Sequence, residues 1–184
     1  MSEVPPPQPQ PSQPPASPAG ERPAELLDRF LARLIDFVIL AVVNGIIVSA
    51  IVVGAIMGDS GGMLWNTGTS FAVGAVTSIL TAAIYLGYFA FMESSRGQTV
   101  GKMVLKLHTY GPTGQKPTLE QAVRRNVWVA FGVLGIIPII GGIVGSIAEL
   151  VAVIMIAVGI SNDTVNRQAW HDNFAGGTYV RKLG

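Results

Sequence analysis

The chain has no cysteine, and only 12% of its 184 residues carry a charge. The first absence excludes a disulfide framework and any thiolate metal site. The second leaves about half the roughly 25% charged share of a soluble domain, too little to cover a surface that faces water. A third absence is regional: none of the twelve Lys and Arg residues lies between Leu34 and Met92. The two histidines, His108 and His171, are far apart, and neither sits among ligands at metal spacing, so neither a metal nor another cofactor is expected. A net charge of +1 lacks the basic excess that nucleic-acid binding requires, and no nucleic-acid partner is expected.

What the chain does have is apolar residues, 49% of the total, gathered in long runs. Residues 34–57 form a 24-residue run interrupted only by Asp36, Asn44 and Ser49 among its polar positions. At 1.5 Å per residue this is long enough to cross a hydrocarbon core of about 30 Å. Residues 71–92 repeat the pattern over 22 residues without a charge. The glycine-rich segment 58–70 between them predicts a short outer loop and a helical hairpin. Both runs carry small residues four apart, Ala50, Gly54 and Gly58 in one and Gly74, Ser78 and Ala82 in the other, a spacing that permits close backbone approach.

The stretch 127–160 is too long for one span and short for two complete ones. Pro138, Gly141 and Gly142 predict a break, so the region reads as a shallow hairpin or re-entrant piece followed by one true span. Basic residues decide the sides. Arg22, Arg29 and Arg33 precede the first run, six more lie between Arg96 and Arg125, and Arg167, Arg181 and Lys182 close the chain. The positive-inside rule therefore places the N-terminus, segment 93–126 and the C-terminus in the cytoplasm, which requires an even number of crossings. The alternative is a first piece lying on the inner surface, giving three crossings and an outer C-terminus.

Residues 1–23 hold nine of the twelve prolines and read as a disordered, Pro-rich cytoplasmic tail that lacks the pattern of a signal peptide. A protein partner for this tail is one reading, a flexible leader the other. Residues 103–110 alternate like a strand, 111–114 supply a turn, and 178–182 are a second strand-like run. The expected architecture is an all-α polytopic membrane protein: a helical hairpin plus a broken third and fourth helix region, with a small cytoplasmic β-hairpin platform, to which a third strand can add.

Arg29, Arg33 and Asp36 stand at i, i+4 and i+7, so they share one face at the mouth of the first helix, and the arginines are the nearest partners for the acid. Glu149 lies mid-run with no basic residue within a turn, which marks it as a proton-binding candidate, while a hydrogen bond to another helix or a position at the outer interface fits the sequence equally. The run Gly97, Gln98, Thr99, Val100, Gly101, Lys102 is one residue short of a phosphate loop and has Met103 where a hydroxyl is needed. It reads instead as a tight turn from membrane to strand, with Lys102 meeting lipid head groups. Arg124 and Arg125 beside Trp128 read as an interfacial anchor. His171 can pair with Asp172, but no nucleophile has a recognisable motif, so no catalytic residue is assigned and an enzyme is not expected.

Three blocks in order, RFLARLID at 29–36, GQTVGK at 97–102 and RQAWHDNFAGGTYV at 167–180, resemble the RDD family of membrane proteins, named for one arginine and two aspartates. Here those fall on Arg29, Asp36 and Asp172. The last block departs from the family pattern in having Gly176 and Gly177 in place of one glycine and Asn173 where a basic residue is frequent. The resemblance covers about residues 25–182 as one transmembrane domain, and it alone singles out Asp172. It implies a multi-pass protein of a cell membrane, the inner one where there are two, and it carries no defined activity. From this follows the expectation that Arg29, Asp36 and Asp172 meet at the cytoplasmic membrane surface.

Two function classes compete. One is transport of a small cation or proton with Asp36, Glu149 and Arg29 in the path, and so few helices would need a homo-oligomer to wall a pore. The other is a non-enzymatic scaffold whose platform and tail bind a partner protein or anionic lipid.

Overall fold

The computed structural model describes residues 20–58, 67–137 and 140–184. The expectations for the tail up to residue 19, for the middle of the outer loop and for Pro138 as a breaker lie outside these residues. Three helices are long and apolar enough to cross a membrane: α1 (Leu26–Gly58), α2 (Thr67–Arg96) and, later in the chain, α5 (Ile140–Asn162). Between α2 and α5 come α3 (Val100–Val104), strand β2 (Leu107–Tyr110), α4 (Leu119–Asn126) and a ten-residue 3-10 helix, Val127–Ile136. A one-turn α6 (Trp170–Phe174) and strand β3 (Tyr179–Lys182) close the chain, and β1 is the pair Arg22–Pro23 at its start.

The long helices are apolar on their outer surfaces, where Val42, Ile46, Phe91, Ile147 and Ile154 are exposed. With lipid as solvent these side chains need no cover, and a helix satisfies its own backbone. Inside, Leu40, Phe89, Trp128, Val129 and Ala152 form the core between α1, α2, the 3-10 helix and α5. A second, smaller core of Ala24, Ala32, Leu107 and Val180 joins the start of α1 to the sheet.

Both hairpin helices overrun their apolar stretches. α1 starts eight residues before residue 34, so Arg29, Arg33 and Asp36 are helical turns inside it, and α2 continues past residue 92 to include Glu93. Hydropathy stops where charges begin; the backbone helix goes on because those charges find partners.

The sheet is antiparallel with order β1-β3-β2. Its two longer strands are 68 residues of chain apart (179 − 111), so they are no hairpin: β2 and β3 meet because the last helices return the chain, with Thr109 opposite Val180. The third strand is Arg22–Pro23, the last residues assigned to the tail, paired with Lys182 and Arg181. The strand-like alternation from residue 103 is also shorter than it looked. Residues 100–104 are helical instead, started by Thr99, whose hydroxyl accepts from Lys102 N–H.

The chain's first and last strands are thus hydrogen-bonded neighbours and lie on one side. From that side the 3-10 helix runs inward between α2 and α5, at about 2.0 Å per residue a leg of about 20 Å. α5 then returns antiparallel to it: Gly141 lies against Leu134, and Gly145 against Phe131. Gly141 and Gly142 sit within the first turn of α5 rather than in the break.

Candidate functional site

Where the helices reach the sheet, charged side chains from five elements are buried together. Arg125 of α4 is the hub. Its Nε donates to Asp172 Oδ1 at 2.8 Å, and its Nη1 lies 3.3 Å from both Glu93 oxygens and 3.1 Å from Thr109 Oγ1. Glu93 also accepts from Lys102 Nζ at 2.5 Å and from Asn126 Nδ2 at 3.0 Å. Asp172 accepts from Arg29 Nη1 at 3.1 Å, from Thr178 Oγ1 at 3.2 Å and from Ala169 N–H at 3.2 Å. Local structure aims these groups. Alternation along β2 turns Leu107 and Thr109 inward together, and Arg125 and Asn126 occupy the buried face of α4.

Glu93 and Asp172 are completely buried. Charges so placed persist only when paired and hydrogen-bonded on every side, which this network provides. Burial alone would raise the Asp172 carboxyl; Arg125 and Arg29, joined by His171 when protonated, hold it well below the usual carboxylate range. Burial likewise works against charge on Arg125, but Glu93 and Asp172 outweigh it and push the guanidinium up. For Lys102 burial dominates, lowering the ammonium to about 7 despite Glu93. His171, buried among Arg125, Arg29 and Arg33, falls to about 3 and is neutral at neutral pH. Its Nε2 stands 3.7 Å from Asp172 Oδ2, too long for a hydrogen bond.

Asp36 is held differently. Its oxygens accept from Tyr88 Oη at 2.7 Å, Thr99 Oγ1 at 2.6 Å and Gly101 N–H at 2.7 Å. Neither arginine of its own helix face pairs with it. Arg29 goes to Asp172, and Arg33 donates to Asn126 Oδ1 at 2.8 Å while lying over the Phe89 ring at 3.8 Å. Side-chain spacing on one helix could not reveal partners supplied by four others. Gly101 is needed here for room, because any Cβ would run into the Ala32 carbonyl of α1. Gly97 is needed for its backbone, at φ +69°, which brings its carbonyl to Thr109 N–H at 2.7 Å.

The expected roles of two basic residues change accordingly. Lys102 does not reach head groups; it is buried against Glu93 and Thr109. Arg125 is no interfacial anchor, and only Arg124 is exposed, paired with Glu120. Glu93 and Thr109 went unnoticed in the sequence. The signal available for Glu93 was an acid directly after a charge-free span.

The RDD family profile matches residues 23–176. The chain belongs to the RDD family. No curated protein and no solved structure matches it. Of the three residues behind the family's name, Arg29 and Asp172 form an ion pair in this RDD protein, 143 positions apart. The third, Asp36, lines the same small recess as Arg29 but bonds to other groups.

Deeper along the helices lies a separate cavity of about 460 Å³. Asn44 of α1, Thr77, Ser78, Thr81 and Tyr85 of α2, Gly132 of the 3-10 helix and Glu149 of α5 line it. Thr81 Oγ1 donates to Asn44 Oδ1 at 3.1 Å, and Gly132 N–H donates to Glu149 Oε1 at 2.9 Å. No Lys or Arg lines this cavity. Among the described residues no group of His, Cys, Asp and Glu side chains has metal-site geometry.

Proposed function

We propose that this RDD protein moves a small cation or proton across the membrane by way of the cavity at Glu149, without enzymatic chemistry. The observation that supports the reading is a carboxylate on the wall of a cavity among the membrane-length helices that also carries Asn44, Thr77, Ser78 and Thr81, with no basic side chain lining it. Ionisable groups at that depth are costly and mark ion or proton paths. Hydroxyl and amide oxygens of Thr77, Ser78, Thr81 and Asn44 supply further acceptors for a partly dehydrated cation.

The ion-binding role goes to Glu149 rather than Asp36. Three donors already occupy the Asp36 oxygens, so Asp36 fastens α1 to α2 and α3. Arg29 belongs with Asp172 in the buried network and outside the cavity. The bias of the basic segments supports a cytoplasmic side for the sheet.

The test is flux in proteoliposomes, read with a pH-sensitive or cation-sensitive dye under an imposed gradient. Wild type should carry flux above empty vesicles, and Glu149→Gln should cut it at least about tenfold, the size expected when a required charge is lost. Equal flux in wild type and Glu149→Gln, at matched incorporation, ends this reading.

A further inference from the structure

The recess between α1 and α5, at the sheet end of the membrane helices, has about 190 Å³ of space. Its inner wall is cationic: Arg29, Arg33, Lys102 and Arg125 all line it. With Lys102 protonated, these four basic groups meet three carboxylates, Asp36, Glu93 and Asp172, and the cluster carries one excess positive charge while His171 is neutral; that excess is lost as pH rises through about 7, where the buried Lys102 ammonium titrates. The one carboxylate on the wall, Asp36, has its oxygens turned to Tyr88, Thr99 and Gly101.

Donors on this wall remain unspent. Arg29 Nη2, Arg33 Nη1 and Trp128 Nε1 are shut off from solvent and have no partner among the described residues. The Arg29 side chain is 9% exposed and Trp128 6%. A buried N–H without an acceptor costs about 1–3 kcal/mol. Three such groups, on residues that line one recess, suit an anion with several acceptor oxygens.

The outer wall is apolar. Leu26, Phe30 and Leu34 on α1 and Val153 and Ile156 on α5 frame the opening, and Phe30 and Leu34 are exposed. Both helices are membrane-length, so the opening faces lipid. We infer that the recess binds the phosphodiester head group of an anionic phospholipid, with an acyl chain lying along the apolar rim between α1 and α5. A free phosphate would satisfy the donors but leave the apolar rim without a role; a basic pocket between helices at the membrane surface is suited to a lipid head group.

The full chain in dodecyl maltoside should gain thermal stability from dioleoyl phosphatidylglycerol. A lipid present at about 100 times its Kd raises Tm by roughly 5–11 °C for a chain of this size. Dioleoyl phosphatidylcholine and inorganic phosphate at the same concentrations should each move it by less than about 1 °C on the same scale. Arg33→Gln should lose most of the phosphatidylglycerol shift. Phe30→Ala, which leaves every donor in place, should weaken it several-fold. An equal shift with phosphatidylcholine overturns the head-group assignment, and an equal shift with phosphate alone overturns the lipid. Should both variants keep the full wild-type shift, the site is not this recess.

Discussion

Asp172 sits where two guanidinium groups converge, and its removal leaves Arg29 without its ion-pair partner and Arg125 with Glu93 alone. Asp172→Asn keeps the shape but strands Arg29 in a buried setting and removes one of the two carboxylates that hold Arg125. Breaking one partner out of a buried pair costs roughly 3 to 5 kcal/mol. The detergent-solubilised variant should melt well below wild type, by about 2–4 °C for each kcal/mol at this chain length. A Tm within about 2 °C of wild type would show that the network contributes little. His171 sets the acid side. Its folded pKa, about 3, is depressed below the unfolded 6.5, so between those values the unfolded chain binds more protons. Stability from His171 is therefore complete above pH 6.5 and is lost as pH falls toward 3. His171→Gln should flatten the fall in Tm between pH 6.5 and 4.5, before the carboxylates titrate. None of this was visible locally, because Asp172 meets Arg29 and Arg125 across 143 and 47 positions of chain.

At the scale of elements, the long spans were legible and the short connecting pieces were not. Two apolar runs and a third broken one give the membrane helices directly, since length and apolarity are set by bilayer thickness. α3 escaped because its first residues read as a glycine turn and its last two as the start of a strand, while its position depends on contacts across the fold: Gly101 against Ala32, and Gly101 N–H on Asp36. That contact can be tested as a unit. Gly101→Ala should push α3 away from α1 and cost about 1–3 kcal/mol, and Asp36→Asn should cost a similar amount by weakening the same junction. Since both changes damage one contact, the double variant should fall short of the sum by at least about 0.5 kcal/mol in chemical or thermal unfolding. Strict additivity would mean that α3 is positioned by something other than this bond.

For the whole molecule, the sheet constrains topology more tightly than hydropathy does. β1 precedes every membrane helix and β3 follows them all, and they are adjacent strands. An odd number of complete crossings would put them on opposite sides, so α1 and α2 form one excursion, and the 3-10 helix with α5 forms the other. The 3-10 leg looks too short for a span in sequence, yet it needs only to reach the far end of α5, where Leu134 meets Gly141. Because the natural chain has no cysteine, single substitutions report sidedness without background. Thr113→Cys, in the turn after β2, and Gly184→Cys, after β3, should resist a membrane-impermeant maleimide applied to intact cells and react once the membrane is opened. Gly61→Cys, between α1 and α2, should react from outside. Labelling of Gly184→Cys but not Thr113→Cys in intact cells would require the two strands of one sheet to lie across a bilayer from each other, and the fold would have to be abandoned. Labelling of both, with Gly61→Cys protected, would keep the fold and reverse its orientation, placing the basic residues outside against the charge bias that argues for the cytoplasm.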